Sequence, residues 1–199
     1  MPLRSSPSPD YLSSQWRLWD QLEKYVLQER SLSLLFKEIC PSNSVLEQVL
    51  LKVSALNDLY STNIFDTYTV AKHIHEMNIE PRLRIGGLPL VNEIAMVTFG
   101  EKEKYFYSFA TKYCSLHFPD SYPIYDSYVD KMLWYYAGTD NFSSFRRKDL
   151  KDYESFFRII REFQDHYQLG QFSLRHIDKF LWFTGKYSFP PVIKKKKAL

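Results

Sequence analysis

One carboxylate in this chain occupies a position where it can do chemistry. Asp126 lies between a loop bounded by Pro119 and Pro123 and an apolar stretch with helical spacing, from Val129 to Tyr136. A carboxylate at a helix start accepts hydrogen bonds from the first free backbone N–H groups. A carboxylate held beside a reacting centre can also stabilise positive charge that develops there. Asp126 is therefore either a helix cap alone or a catalytic group, and the two roles are compatible.

The cysteines and histidines do not suggest a metal site. Cys40 and Cys114 are the only cysteines, which is too few for a structural zinc or an iron–sulfur cluster. His73 and His75 are two residues apart, so on a helix they point to different faces. No G-x-G-x-x-G or Walker pattern occurs, and only 6 of the residues are glycine. We therefore predict no metal and no cofactor.

The elements that must position Asp126 are predicted to be helices. The chain has 199 residues, 45% apolar and 17% aromatic, enough for one core. Helical spacing predicts an all-α domain of roughly eight to ten helices, with strands hard to find. The predicted helices cover 11–30, 32–39, about 46–56 (capped by Asn43 or Ser44), 64–77, 90–99, 103–117, 126–136, 149–167 and 173–186. Residues 79–89 and 137–145 are predicted to be irregular.

The two ends of the chain are predicted to lie outside this domain. Residues 1–10 are rich in Ser and Pro and read as a flexible lead, followed by the domain at 11–190. Residues 191–199 form a basic tail with the run Lys194 to Lys197, which is expected to be solvated. The net charge of +3 fits a nucleic-acid partner without demonstrating one. No stretch approaches a transmembrane span, so we expect a soluble, cytoplasmic monomer.

The order of these elements resembles a known family. Helix 90–99, a turn at Gly100, helix 103–117, a proline loop and then Asp126 are similar to the core of the helix-hairpin-helix DNA glycosylase superfamily. That superfamily has a Val-Asp-Thr-His-Val-x-Arg pattern, and this chain has Tyr125-Asp126-Ser127-Tyr128-Val129-Asp130-Lys131. The chain is also similar to small bacterial proteins with an 8-oxoguanine-glycosylase-like fold. The motifs cover about 46–136, with the hairpin and catalytic helix at about 90–136.

The resemblance implies a fold, a reaction and a set of site residues. It implies two helical lobes around a cleft, in which a base extruded from duplex DNA is cut from its sugar, with Asp126 as the catalytic carboxylate. Asn63, three residues before Asp66, corresponds to the polar residue that fills the gap left by the base. The other residues expected to contact DNA or the base are Gly100, Lys102, Tyr107, Ser108 and Tyr128.

The chain departs from the family at the hairpin and at the lysine of the members that also cleave the strand. The hairpin, Val97 to Lys102, keeps one glycine and is therefore a degenerate helix-hairpin-helix. The family's usual lysine position falls on Tyr107 or Ser108. Lys104 lies one helical turn before Ser108, and Lys112 one turn after it on the same face. With no lysine at that position, the expected enzyme is monofunctional and uses Asp126 and water, while Lys112 and Lys104 stay open as nucleophiles.

Other functions are compatible with the same residues. The fold can serve as a non-catalytic DNA-binding module in which Asp126 is only a cap and lysines bind phosphate. A helical domain with many aromatic residues can also bind a protein partner. Base release from modified DNA separates these alternatives. The excised base stays open, and a role in repair and one in defence against phages with modified DNA are both compatible with the resemblance.

Overall fold

The computed structural model describes residues 6–190, and the predicted all-α class is confirmed. The described residues form ten α-helices and one two-stranded hairpin. The helices are α1 (Pro9–Trp19), α2 (Glu23–Leu34), α3 (Leu46–Tyr60), α4 (Thr67–Glu76), α5 (Glu80–Arg84), α6 (Pro89–Ala95), α7 (Tyr107–His117), α8 (Ser127–Asp140), α9 (Tyr153–His166) and α10 (Leu174–Ser188). A π-helical turn, Leu35–Ile39, extends α2, and a 3-10 helix, Arg147–Lys151, precedes α9. The predicted tail at 191–199 and the first five residues of the predicted lead lie outside the described residues.

The predicted helix-hairpin-helix is wrong in its detail, because a β-hairpin separates the two helices. Helix α6 ends at Ala95, and residues expected to be helical form β1 (Met96–Phe99), paired antiparallel with β2 (Lys102–Tyr105). Val97 is buried while its neighbours on either side are exposed, which is the alternation of a strand. Gly100 takes a φ of +62° in the two-residue turn, a conformation that glycine adopts without strain. The second helix therefore begins at Tyr107, not near residue 103.

Several other helix boundaries differ from the prediction. The predicted helix 11–30 is two helices, because the chain turns at Asp20–Leu22 between α1 and α2. Helix α1 begins at Pro9, since the Ser8 side chain accepts a hydrogen bond from the Tyr11 N–H and so caps it within the predicted lead. The connector predicted to be irregular contains the short helix α5. Helix α8 continues to Asp140, into the predicted loop.

A buried polar network joins helix α3 to α7. Lys52 of α3 is fully buried and donates to the Asn43 Oδ1 at 2.6 Å and to the Ser42 carbonyl oxygen at 3.0 Å. The Tyr113 hydroxyl of α7 donates to the same Asn43 oxygen at 2.6 Å. Asn43 or Ser44 was expected to cap α3, but the cap position is held by Val45, which makes no side-chain cap hydrogen bond. The network holds α7, the helix that contains Lys112, against α3.

Helices α8 and α10 cross at a glycine, and this crossing sets the shape of the site. A Cβ atom placed on Gly185 of α10 would lie 2.8 Å from the Tyr128 Cβ and 2.9 Å from the Tyr128 carbonyl oxygen of α8. Only a residue without a side chain fits such an approach. The start of α8 is therefore held directly against α10. Within residues 6–190, no helix combines the length and the apolar character needed to span a bilayer.

Candidate active site

A cleft with a volume of about 280 Å³ opens at the start of α8. Its walls come from the junction of α1 and α2, the end of α3, the middle of α7, the start of α8 and one face of α10. The aromatic and charged residues that line it include Trp19, Tyr25, Tyr60, Lys112, Asp126, Arg175, Asp178, Lys179 and Trp182. Both halves of the chain contribute, so the cleft exists only in the folded protein.

Asp126 caps α8 and faces this cleft. Its Oδ1 atom accepts a hydrogen bond from the Tyr128 N–H at 2.7 Å, and its backbone is extended, as a cap requires. Its Oδ2 atom lies 3.9 Å from the Nζ atom of Lys112. The cap leaves this second oxygen directed toward the lysine. This geometry is compatible with both interpretations of Asp126, as a helix cap and as a catalytic carboxylate.

Lys112 places a buried amine in the cleft. Its residue is only 5% exposed, and its Nζ atom donates to the Ser108 Oγ at 2.5 Å, one turn earlier on α7. Burial lowers the pKa of Lys112, while the nearby Asp126 carboxylate acts in the opposite direction. A lysine amine with a lowered pKa is more often neutral, and the neutral amine is a nucleophile. The pair thus combines an anion with an amine suited to attack.

Asp178 adds a second carboxyl group to the cleft. It is 3% exposed, and its Oδ1 accepts a hydrogen bond from the Ile124 N–H at 3.0 Å. Its Oδ2 atom is buried and has no hydrogen-bond partner among residues 6–190. Burial raises the pKa of Asp178 to about 7, against the opposing charges of Arg175 and Lys112. A carboxyl group poised near neutrality can donate or accept a hydrogen bond, so the free oxygen can bind a polar atom of a ligand.

A network of ion pairs holds the cationic residues of α10 in place. Arg175 and Lys179 both bind Glu29 of α2, at 3.1 Å and 2.7 Å. Burial acts to raise the pKa of Glu29, but the two cations outweigh it, and the pKa of this carboxyl is lowered. Because Glu29 is ionised, it joins the first part of the chain to the last helix. The network therefore holds α2 against α10, and both helices contribute walls of the cleft.

Three aromatic rings form one side of the cleft. Trp19, Tyr25 and Trp182 meet edge to face, with centroids 5.6 Å apart for the two tryptophans and 5.0 Å apart for Tyr25 and Trp182. Each of these rings is partly exposed. Exposed aromatic faces bind planar, weakly hydrated groups by stacking. Lysine side chains lie over these rings: the Nζ atom of Lys179 is 5.0 Å from the Trp19 ring, and that of Lys186 is 4.1 Å from the Tyr25 ring and 4.7 Å from the Trp182 ring. This side of the cleft thus combines aromatic surface with cations.

Two predicted site residues, Tyr107 and Ser108, lie in an adjoining cleft of about 350 Å³. Ser108 still contacts the first site, because its Oγ accepts from Lys112. Tyr107 is almost fully buried, with its ring 4.9 Å from that of Tyr125. The structure therefore brings Ser108 to Lys112 but separates Tyr107 from the Asp126 cleft.

The structure does not bring four other predicted residues into the Asp126 cleft. Gly100, Lys102 and Lys104 lie on the exposed hairpin, because this segment is a strand pair and not the start of α7. The Nζ atom of Lys104 lies 5.3 Å from the Phe99 ring and the residue lines neither cleft, so it is not one helical turn from Ser108 as predicted. Tyr128 packs against Trp182 and Gly185.

Asn63 occupies the exposed loop between α3 and α4. Its φ of +60° is a left-handed conformation that asparagine tolerates better than most residues. Its neighbours Ser61 and Thr62 line the first and second cleft respectively. Asn63 is thus close in sequence to both clefts and lines neither.

The charged face of α10 was missed by reasoning from the sequence. Arg175, Asp178, Lys179 and Trp182 follow i, i+3, i+4 and i+7 spacing, so they share one face of the helix. In a surface helix such a face reads as solvated. The residue that could have indicated a site is Trp182, because a large aromatic ring on an otherwise charged helix face indicates a binding surface. Among residues 6–190, no three His, Cys, Asp or Glu side chains are grouped as a metal site would require.

These features define an all-helical protein with a charged, aromatic-lined cleft, and comparisons give its family. The family model HI_0787_N, described as an N-terminal domain, matches residues 11–121, a range that contains Lys112 and ends before Asp126. A protein of Haemophilus influenzae strain Rd, named "Uncharacterized protein", is 48% identical over 149 residues, 74% of this chain and 71% of that protein. The chain belongs to the HI_0787_N family. No solved structure matches it.

Proposed function

We propose that this protein is a DNA glycosylase that extrudes a modified base into the Asp126 cleft and cleaves its N-glycosidic bond. The observation that carries the proposal is the pairing of Asp126 with the buried amine of Lys112 inside a cleft with aromatic walls. Loss of a base builds positive charge on the deoxyribose. A carboxylate held beside the sugar stabilises that charge.

Lys112 supports a covalent route. In this route the neutral amine attacks C1′ of the deoxyribose, the C1′–N bond breaks, and its electron pair leaves with the base. One proton of the amine passes to Asp126 or to the departing base. The C1′–O4′ bond then breaks, the remaining N–H proton is transferred to O4′, and an imine is left between C1′ and Lys112. The position of the Lys112 amine in the cleft, 3.9 Å from Asp126, supports this route beside attack by water, which is the monofunctional alternative predicted from the sequence.

The walls of the cleft suit a planar base with polar edges. Trp19, Tyr25 and Trp182 provide stacking surfaces, and the free Oδ2 of Asp178 provides a hydrogen-bonding atom. The identity of the base is open to oxidised, alkylated and hypermodified bases. Defence against phages with modified DNA fits the last class, with the cytoplasm as the site of action.

The experiment that tests the proposal measures base release. The protein is incubated with genomic DNAs of differing base modification, and released bases are identified by mass spectrometry. Release by the wild-type protein and none by Asp126→Asn is expected. Binding of the same DNAs without any release would instead support a non-catalytic DNA-binding module, and absence of binding would favour a protein partner.

A further inference from the structure

A second cleft lies beside the first and is lined mainly by aromatic residues. It has a volume of about 350 Å³ and includes Tyr105, Tyr107, Tyr125, Ser108, Thr62 and Lys151 among its walls. The Tyr105 ring is 43% exposed and lies nearly parallel to the Tyr107 ring, at 11° and 5.6 Å between centroids. One face of a fixed, half-exposed ring is thus available at the mouth of this cleft.

Lys151 supplies the charge of the second cleft. Its Nζ atom lies 4.2 Å from the centroid of the Tyr125 ring, and within residues 6–190 it forms no direct ion pair. Burial lowers the pKa of Lys151, although the Asp130 carboxylate acts to raise it. The acidic residues nearest in sequence are otherwise engaged: Asp149 binds Arg146, and Asp152 caps α9 by accepting from the Ser155 N–H. The cation is therefore available to an anionic ligand.

The position of Lys151 is set by contacts on both sides. The 3-10 helix that ends at Lys151 is tied to α8 through Arg147, which donates to Asp130 at 2.8 Å. The hydroxyl of Tyr105 donates to Asn92 at 2.8 Å and lies 3.5 Å from the Lys151 carbonyl oxygen. The exposed ring and the cation are thus held next to each other by the fold.

The two clefts are lined in part by residues that are adjacent in the sequence. Ser61 and Asp126 line the first cleft, and their neighbours in the sequence, Thr62 and Tyr125, line the second. Ser108 stands between them, since its Oγ accepts from Lys112 and donates to the Tyr125 carbonyl oxygen at 3.1 Å. A flexible polymer with one unit in the first cleft can therefore place its next unit in the second.

We propose that the second cleft binds the nucleotide next to the extruded one on the same strand, with its base against Tyr105 and a phosphate at Lys151. This inference rests on the proposed function. Aromatic stacking combined with a positive charge is how proteins bind single-stranded nucleic acid without reading its sequence. Two successive nucleotides must then leave the stack, which costs least when the DNA is already single-stranded. The preferred substrate is therefore single-stranded or locally opened DNA.

Binding of short oligothymidylates tests this assignment. Chains of one to four nucleotides with a fluorescent label are titrated with the full-length protein, and affinity is read from anisotropy. Wild-type affinity should rise about tenfold from one nucleotide to two, as stacking of one more base would give. Tyr105→Ala should remove this rise, and Tyr105→Phe, which keeps the ring, should retain it.

Salt dependence tests the phosphate contact separately. Lys151→Met should lower affinity and reduce the slope of log K against log salt by about 0.7, the value for one phosphate contact on a single strand. Lys151→Arg should retain the wild-type slope. Lys148→Met and Tyr68→Ala are matched controls, because these exposed residues line neither cleft. Both controls should bind as the wild type does.

The outcomes separate this inference from the proposed function. Wild-type binding that is unchanged in Tyr105→Ala and Lys151→Met overturns the second subsite and leaves the glycosylase proposal intact. Equal or tighter binding of a matched duplex than of the single strand also overturns it. A wild-type protein that binds no oligonucleotide and no genomic DNA overturns both.

Discussion

The Nζ atom of Lys112 lies 3.9 Å from the Oδ2 atom of Asp126, across the gap between α7 and α8. Lys112 comes from the middle of α7, and Asp126 from the cap position of α8. Burial lowers the pKa of Lys112, and the Asp126 carboxylate opposes that shift. A substitution that removes the Asp126 carboxylate therefore removes the charge that opposes the shift at Lys112, which makes the pair testable by single substitutions.

Asp126→Asn separates catalysis from capping. Asparagine caps a helix about as well as aspartate, so the free energy of unfolding should stay within about 0.5 kcal/mol of wild type. Base release should fall by roughly 100-fold or more, because the anion is gone. Asp126→Ala should lose both the cap and base release, and its free energy of unfolding should fall by about 1 kcal/mol. Urea unfolding and mass spectrometry of released bases measure the two effects, and an active Asp126→Asn protein would exclude the proposed mechanism.

Lys112→Met tests the covalent route. Methionine has a similar length and no charge, so the buried site should accept it with stability equal to or above that of wild type. Borohydride added during the reaction should trap a protein–DNA adduct with the wild-type protein and none with Lys112→Met. Lys104→Met is the matched control and should still be trapped, since Lys104 lies on the exposed strand β2. No wild-type adduct despite base release would point to attack by water.

The sequence predicts the place of Asp126 at a helix start correctly because its signals are local. A proline loop, a capping side chain and an apolar helical period all lie within a few residues of each other, so no distant contact is needed to interpret them. The same holds for the all-α class, which depends on period and composition. The β-hairpin was missed because its four-residue strands, Met96–Phe99 and Lys102–Tyr105, adjoin helices, and a short apolar run fits either structure.

The chemistry of α10 could not be predicted in the same way. Asp178 has a raised pKa because α10 packs against the segment before α8, which removes water from its carboxyl group. That burial depends on residues more than fifty positions apart, and no local pattern records it. Lys112 illustrates the same limit, since its distance to Asp126 follows from the packing of α7 and α8 and not from the spacing of either residue in the chain.

Asp178→Asn should stabilise the protein in a pH-dependent way. The folded pKa is about 7 and the ordinary value is 3.8, so between these values the unfolded chain releases the proton while the folded chain keeps it. Stability contributed by this group is therefore lost as the pH rises from about 4 to 7, by about 1.4 kcal/mol per pH unit. The asparagine side chain of the variant cannot ionise, and its oxygen can still accept from the Ile124 N–H.

Urea unfolding at several pH values checks this prediction. The stability of Asp178→Asn relative to wild type should grow with pH and level off above about pH 7, at no more than roughly 4 kcal/mol. The other carboxylates titrate in both proteins, so their contributions cancel in the difference between the two free energies of unfolding. A difference that does not change between pH 5 and 8 would mean that Asp178 is ionised throughout this range in the folded protein.

Gly185→Ala tests whether the crossing of α8 and α10 sets the geometry of the site. The added Cβ would lie 2.8 Å from the Tyr128 Cβ and 2.9 Å from the Tyr128 carbonyl oxygen, so the helices must move apart, at a cost of about 1–3 kcal/mol. Gly138→Ala in α8 is the matched control, because its Cβ would meet nothing within 4 Å. In a helix that change should stabilise the protein by about 0.5–1 kcal/mol.

The two alanine variants therefore differ in the sign of their effect although the chemical change is the same. Thermal and urea unfolding measure the stabilities, and base release measures the site. Gly185→Ala should also release base more slowly, because a shift of α10 moves Asp178 and Trp182 away from Asp126 at the start of α8, whereas Gly138→Ala should retain the wild-type rate. If Gly185→Ala is as stable and as active as Gly138→Ala, the close contact at Tyr128 does not hold the cleft in shape.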